Sequence, residues 1–360
     1  MTPAATAVQR PAGAKLLAVD ERGRIRHWPR HQFVHLLRAR DVVIANDAAT
    51  LPASLFGRHL PTGRRIEIRL AQRKSLEADD IQHFTAIAFG EGDFRVRTED
   101  RPPPPAFRNG DLLELGPLRA TVTGVLQHPR FLSLRFDGSA RETWEGVARH
   151  GRPIQYAHVP EPLAVWNTWT PIAGPPVAFE PPSAGFALDW QILASMSDRG
   201  IRFGTITHAA GISSTGDPEL DALLPFDEPY RIPRSTALLI RNARASGARV
   251  VAIGTTVVRA LEHSAMRDGH VHEGEGIATQ KIVFSSRLRI VDAILSGTHE
   301  PGTSHYELLR AFASEATLRR MDEQLGARAY RTHEFGDSVF VEARRRLASF
   351  QRDHRDAESA

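Results

Sequence analysis

Between residues 64 and 138 the chain alternates apolar and polar positions and carries almost no helical signal, and this block constrains the fold more than any other feature. In residues 64–72, Ile66, Ile68 and Leu70 share one face of a strand, because successive side chains point to opposite sides. His83–Phe89, residues 94–97, Leu112–Leu115, Leu118–Val125 and Phe131–Phe136 read as further short strands, with glycine turns between them. The prolines at 102–105 rule out regular structure where they stand. Strands this short and this closely spaced predict a small closed barrel or sandwich.

The flanks have another texture. Residues 15–20 and 41–45 are short apolar strands, the second ending at the turn-forming pair Asn46-Asp47, and residues 31–38 have apolar positions at helical spacing. From about Arg152 strands and helices mix. The pattern predicts helices over 141–150, 189–199, 235–245, 304–313 and 315–325, and strands over 201–207, 250–253, 281–284, 288–290 and 338–341. The expected plan is a large mixed α/β domain formed by residues 15–61 and 152–343, interrupted by a small all-β, barrel-like domain at 62–151. Residues 1–14 are expected to be disordered, and 344–360 to form a charged tail.

With 360 residues, 41% hydrophobic and 24% charged, the chain has the make-up of a soluble globular protein. Its net charge is only +4, but 43 arginines stand against three lysines, Lys15, Lys74 and Lys281. Arginine forks bind phosphate, so basic patches could hold RNA; a genomic bias toward arginine would give the same excess. The absence of cysteine excludes disulfides, thiolate catalysis, iron–sulfur clusters and cysteine-type zinc sites. No apolar run approaches the ~20 residues of a membrane span, and residues 1–13 lack the apolar core of a signal peptide, so a cytoplasmic location is expected.

Residues 249–262 read as strand, turn and helix. Val250–Ile253 is continuously apolar, Gly254 breaks it, and Thr255 or Thr256 can cap a helix carrying Val258, Leu261 and Ala265. Free amides at that turn favour an anion, and Arg259 one turn on could hold a carboxylate or phosphate, unless it pairs with Glu262 or Glu228. His270 and His272 form a candidate metal pair without an evident third ligand. Asp292 lies in an apolar run, where burial would raise its pKa toward that of a general base, unless an arginine neutralises it. Trp166 and Trp169 could stack on a base, or pack in the core.

Taken together, these residues resemble the S-adenosylmethionine:tRNA ribosyltransferase-isomerases of queuosine biosynthesis. Val251-Ala-Ile-Gly-Thr-Thr-Val-Val-Arg-Ala-Leu-Glu262 is similar to that family's V-G-T-T-S-V-R-T-L-E. Asn46-Asp47 and Leu51-Pro52-Ala53 resemble its N-D-T-R-V-I-P-A, Val291-Asp292-Ala293 to His299 its V-V-D-A-L-I-T-N-F-H, and residues 330–338 its Y-R-F-F-S-Y-G-D-A. Departures lie between. Ser183-Ala184-Gly185 is kept from A-A-P-T-A-G-L-H-F, but Ala187 and Phe226 stand where histidines are expected, and Ser54 replaces an arginine.

The resemblance implies an α/β domain interrupted by a small barrel. It further implies transfer and isomerisation of the ribosyl moiety of S-adenosylmethionine onto 7-aminomethyl-7-deazaguanine at the wobble position of tRNA, giving epoxyqueuosine. S-adenosylmethionine would be co-substrate with no metal, the anticodon loop the partner, and a monomer is expected. By position in these motifs, Thr255, Thr256 and Arg259 would anchor the methionine carboxylate, Gly254 would also bind substrate, and Asp292 or His208 would be the base. Asn46, Asp47, Ser183, Gly185, Glu228, His299 and Asp337 would line the substrate site. Two other readings fit the departures: a paralogue that uses S-adenosylmethionine with another acceptor, and a non-catalytic RNA-binding protein.

Overall fold

The computed structural model describes residues 1–344. Its largest sheet has nine strands, in the order Gly274–Ala278, Glu228–Ile232, Arg202–His208, Val42–Asn46, Val250–Ile253, Ala293–Gly297, Ser338–Glu342, Lys15–Val19 and Ile25–Pro29. The four from Arg202–His208 to Ala293–Gly297 run parallel. Val250–Ile253 is apolar throughout because both of its faces are covered. Val250 and Ala252 pack with Val257, Leu261 and Ile240 on one side, while Val251 and Ile253 pack with Leu188, Ile192 and Met196 on the other.

The alternating block closes into a six-stranded antiparallel barrel: Leu118–Val125, Phe131–Phe136, His83–Phe89, Arg65–Gln72, Ser54–His59 and Leu112–Leu115. Leu55, Ile66, Ile68, Leu70, Leu113, Leu134 and Phe136 fill its interior. The mixed α/β architecture with an interrupting barrel is therefore the one expected. Helix Ala140–His150 leads out of the barrel, with a capping box at Ser139 and Glu142. Ser54, in place of an arginine, donates to the buried Glu67 at 2.6 Å. Glu67 also pairs with buried Arg69 and Arg101, which overcome the effect of burial and hold its carboxyl down to about 2.

A seam of Ile87, Phe89 and Phe131 from the barrel and Ile212, Leu220, Leu224 and Phe226 from the α/β part joins the two. Phe131 and Phe226 stack at 4.6 Å and 11°. Ala187, the other position lacking a family histidine, is buried in the core between sheet and helix.

Several local expectations differ from the structure. Residues 1–14 are not disordered: Thr2–Pro3 pairs with Arg331–Thr332, and Gln9 donates to the Asn167 and Trp169 carbonyls. Strand Ser54–His59, assigned from sequence to the α/β part, belongs to the barrel. Residues 281–284 and 288–290 form no strand; strands instead occupy Gly274–Ala278, masked by its glycines, and Ala293–Gly297. Residues 94–97 are a turn, and 31–38 fold as a 3-10 helix, Arg30–Leu36. Of the expected charged tail, all but Arg344 lies outside the described residues. Among the described residues no helix is long and apolar enough to cross a membrane.

Candidate active site

In a parallel sheet a ligand cleft forms beyond the carboxyl ends of the strands, where loops diverge. Here the ends of Arg202–His208, Val250–Ile253 and Ala293–Gly297 deliver Ala210-Gly211, Gly254-Thr255-Thr256 and Ser296-Gly297 to one cavity of about 310 Å³. It opens into a second lobe of about 610 Å³, and Glu180, Ser183, Ser213, His299 and His305 line both. The barrel contributes Arg97, Thr98 and Glu99 to the outer lobe.

Gly254 turns the chain with φ +94° and ψ 157°, a conformation open to glycine and strained for other residues. No side chain caps helix Thr255–Ser264, so the amides of Thr255, Thr256 and Val257 lack intrahelical partners at the positive end of the helix dipole. Thr255 and Thr256 line the cavity beside them. Gly254, Thr255, Thr256, Ser183, Glu228 and His299 thus line one cavity.

Glu180 reaches both lobes. Burial and the nearby Glu334 carboxylate push its carboxyl up to about 7. The Tyr156 hydroxyl contacts it and also donates to the Ser214 carbonyl at 3.0 Å. Across the cavity the rings of His299 and His305 stack at 4.4 Å and 12°. Burial pushes both imidazoles down, His299 well below the usual histidine value, so both are neutral near pH 7.

Arg259 lines the same cavity, while most other sequence candidates are placed elsewhere. Arg259 is not free to anchor a substrate carboxylate: its guanidinium pairs with Glu228 and donates to the Phe226 and Ala278 carbonyls. Glu228 also receives His208 Nε2 at 2.8 Å and the Gly211 amide at 2.6 Å. Burial raises the Glu228 carboxyl, but Arg259 and His208 outweigh it and hold it at about 2. His208 is fully buried, does not line the cleft, and leaves Nδ1 without a partner.

Asp292 cannot be the base in this arrangement. It precedes strand Ala293–Gly297, at the opposite end of the sheet from the cleft, where it pairs with Arg244 at 3.2 Å and accepts the Val250 amide at 2.8 Å. Asn46 and Asp47 also stay out of the cavity lining. Asn46 spends its amide on His208 and Thr256, and Asp47 accepts from Thr207 at 2.7 Å. Asp337 accepts the Lys15 and Arg331 amides and so ties strands together. Gly185 packs on Thr170, where a Cβ would approach to 2.9 Å. His270 and His272 are exposed, with His272 paired to Asp268. Trp166 is 70% exposed rather than in the core.

Residues 2–341 match the family model described as queuosine biosynthesis protein. The chain belongs to this family. A relative from Ralstonia nicotianae, named S-adenosylmethionine:tRNA ribosyltransferase-isomerase, is 30% identical over 344 residues, covering 94% of this chain and 91% of its own. A relative of the same name from Sorangium cellulosum is 31% identical over 353 residues, covering 91% and 92%. Among solved structures, an S-adenosylmethionine tRNA ribosyltransferase from Thermotoga maritima matches with TM-score 0.49 and 21% identity over 94% of this chain and 95% of its own.

By sequence, Glu180, His158 and His305 are residues that could fill the places of the missing family histidines, whereas nothing in the sequence marks Tyr156. Glu180 carries the same signal that singled out Asp292, an acid at the end of an apolar run, Val177-Ala178-Phe179. His305 has no comparable signal; the turn at Gly302 and helix Ser304–Leu309 bring it onto His299.

Proposed function

We propose that this chain is a tRNA ribosyltransferase-isomerase that moves the ribosyl group of S-adenosylmethionine onto the aminomethyl group of 7-aminomethyl-7-deazaguanine at the wobble position, releasing adenine and methionine and forming epoxyqueuosine. The observation that carries this reading is the convergence on one cleft of an uncapped helix start, two neutral imidazoles and a carboxyl poised near pH 7.

Each part has work suited to its chemistry. The methionine carboxylate sits at the amides of Thr255–Val257, held by the Thr255 and Thr256 hydroxyls. This replaces the anchor expected at Arg259, whose task is to neutralise Glu228 within the wall. The sulfonium acidifies the ribose beside it, and Glu180, in place of Asp292 or His208, takes the proton because its pKa matches the working pH. His299 and His305, being neutral, can donate at one nitrogen and accept at the other, which suits ribose hydroxyls and the departing adenine. The wobble base, splayed from the anticodon loop, enters through the larger lobe. Location in the cytoplasm, where tRNA is modified, belongs to the same reading.

The deciding experiment mixes the full chain with S-adenosylmethionine and tRNA carrying the aminomethyl base, and reads nucleosides and free adenine by mass spectrometry. Epoxyqueuosine with stoichiometric adenine is expected. Folded protein that binds S-adenosylmethionine but yields no product would overturn the acceptor assignment.

A further inference from the structure

The outer lobe holds a second cluster of titratable groups. His158, His333 and Glu334 each offer one ligand atom, and these atoms lie within 4.8 Å of one another. All three are half-buried and line the 610 Å³ lobe. The two imidazoles stack at 4.3 Å and 22°, and His158 Nε2 stands 3.4 Å from Glu334 Oε2. Beside them, the Tyr156 ring lies parallel to His158 at 6.1 Å, and the Glu300 carboxylate is 3.8 Å from His333 Nε2.

The backbone supports the same reading. His333 has φ +67°, a left-handed conformation that costs a non-glycine residue free energy. That conformation sets His333 and Glu334 side by side on the short segment between Arg331–Thr332 and Ser338–Glu342, opposite His158. We infer that His158, His333 and Glu334 bind one divalent transition-metal ion of the zinc class, with an open coordination position facing the outer lobe.

Two imidazoles and one carboxylate are a donor set that zinc accepts, and three protein ligands leave a fourth position for water or a substrate atom. Ligand atoms on a tetrahedral ion with ~2.1 Å bonds are about 3.4 Å apart, so the cluster needs to close by roughly an ångström, which side-chain rotation supplies. A cation on Glu334 would act on the neighbouring Glu180 carboxyl, but binding does not require the transfer reaction. Binding is measured without tRNA or S-adenosylmethionine, so its failure and the failure of the proposed function are separately visible.

The test uses the full chain, stripped with chelator and titrated with Zn²⁺ by calorimetry and with Co²⁺ by visible absorption. One equivalent is expected to bind, with a tetrahedral-type cobalt band. His158→Ala, His333→Ala and Glu334→Gln should each weaken binding at least ~100-fold. The double variant His270→Ala/His272→Ala, which removes the exposed pair, should keep the site. Zinc-edge X-ray absorption on the unsubstituted protein does not depend on any variant folding, and should show two imidazole ligands. No binding, binding unchanged by His333→Ala, or an ion with fewer than two imidazoles would overturn the assignment.

Discussion

A phenol has one proton to give, and Tyr156 faces two acceptors, the Glu180 carboxyl and the Ser214 carbonyl. The shorter bond goes to Glu180, a donation that favours its carboxylate form, while the Ser214 carbonyl stands 3.0 Å away. Burial and the Glu334 carboxylate favour the neutral acid more than the hydrogen bonds from Ser213 and Tyr156 favour the carboxylate, so the pKa rises from 4.5 to about 7. The folded protein then binds the Glu180 proton more tightly than the unfolded chain. Its stabilising contribution is complete below about pH 4.5 and is lost as pH rises through 7, at most about 3 kcal/mol. Denaturant titrations from pH 5 to 8 with chelator present should show this decline, and Glu180→Gln should flatten it; an unchanged slope would show that Glu180 does not titrate there. In turnover, the same variant should lose roughly a hundred- to ten-thousand-fold in kcat, with S-adenosylmethionine affinity near wild type. The sequence shows an acid after an apolar run at both Glu180 and Asp292. Only the fold separates them, since Asp292 meets Arg244 and the Val250 amide at the far end of the sheet.

Helix Thr255–Ser264 is where local sequence and site coincide most closely, because an apolar strand, a glycine and two threonines determine a local turn without help from distant residues. The role of Arg259 was not legible, since its partners arrive from Phe226, Glu228 and Ala278, remote in sequence. Those partners set up two predictions. Arg259→Ala leaves Glu228 buried without its cation and should cost roughly 3–5 kcal/mol in denaturant unfolding. A variant that stays as stable as wild type and only raises the KM for S-adenosylmethionine would instead restore Arg259 as a substrate anchor. Gly254→Ala meets no clash, its Cβ lying 3.5 Å from the Ala184 Cβ, but must hold φ +94°. It should lose roughly 1–3 kcal/mol and weaken S-adenosylmethionine binding in calorimetry, because relief of the strain moves the helix start away from the cavity. Strands show the converse limit. Val250–Ile253 is legible from composition, whereas Gly274–Ala278 is a strand only because Glu228–Ile232 offers it an edge.

For the whole molecule, the barrel was legible because period-two alternation repeats over five of its six strands, while its seam with the α/β part was not. Phe226 stands where the family pattern has a histidine, and the structure gives that position a packing task, stacking on Phe131 of the barrel. The cleft depends on this seam: Arg97, Thr98 and Glu99 of the barrel face His299 and His305 of the α/β part across the outer lobe. Two bodies joined by a buried apolar cluster should unfold together, so calorimetry of the intact chain should show one transition. Phe226→Ala removes the centre of the cluster and should cost roughly 3–5 kcal/mol. Because barrel and sheet keep separate cores, that loss should fall on their coupling, and the single transition should broaden or divide. Turnover should fall with it even though Phe226 is set back from the reacting groups, since the outer lobe keeps its shape only while both walls are docked. Two transitions in the unsubstituted chain would show instead that the seam does not couple the parts, and the outer lobe would then have to be assembled by the tRNA itself.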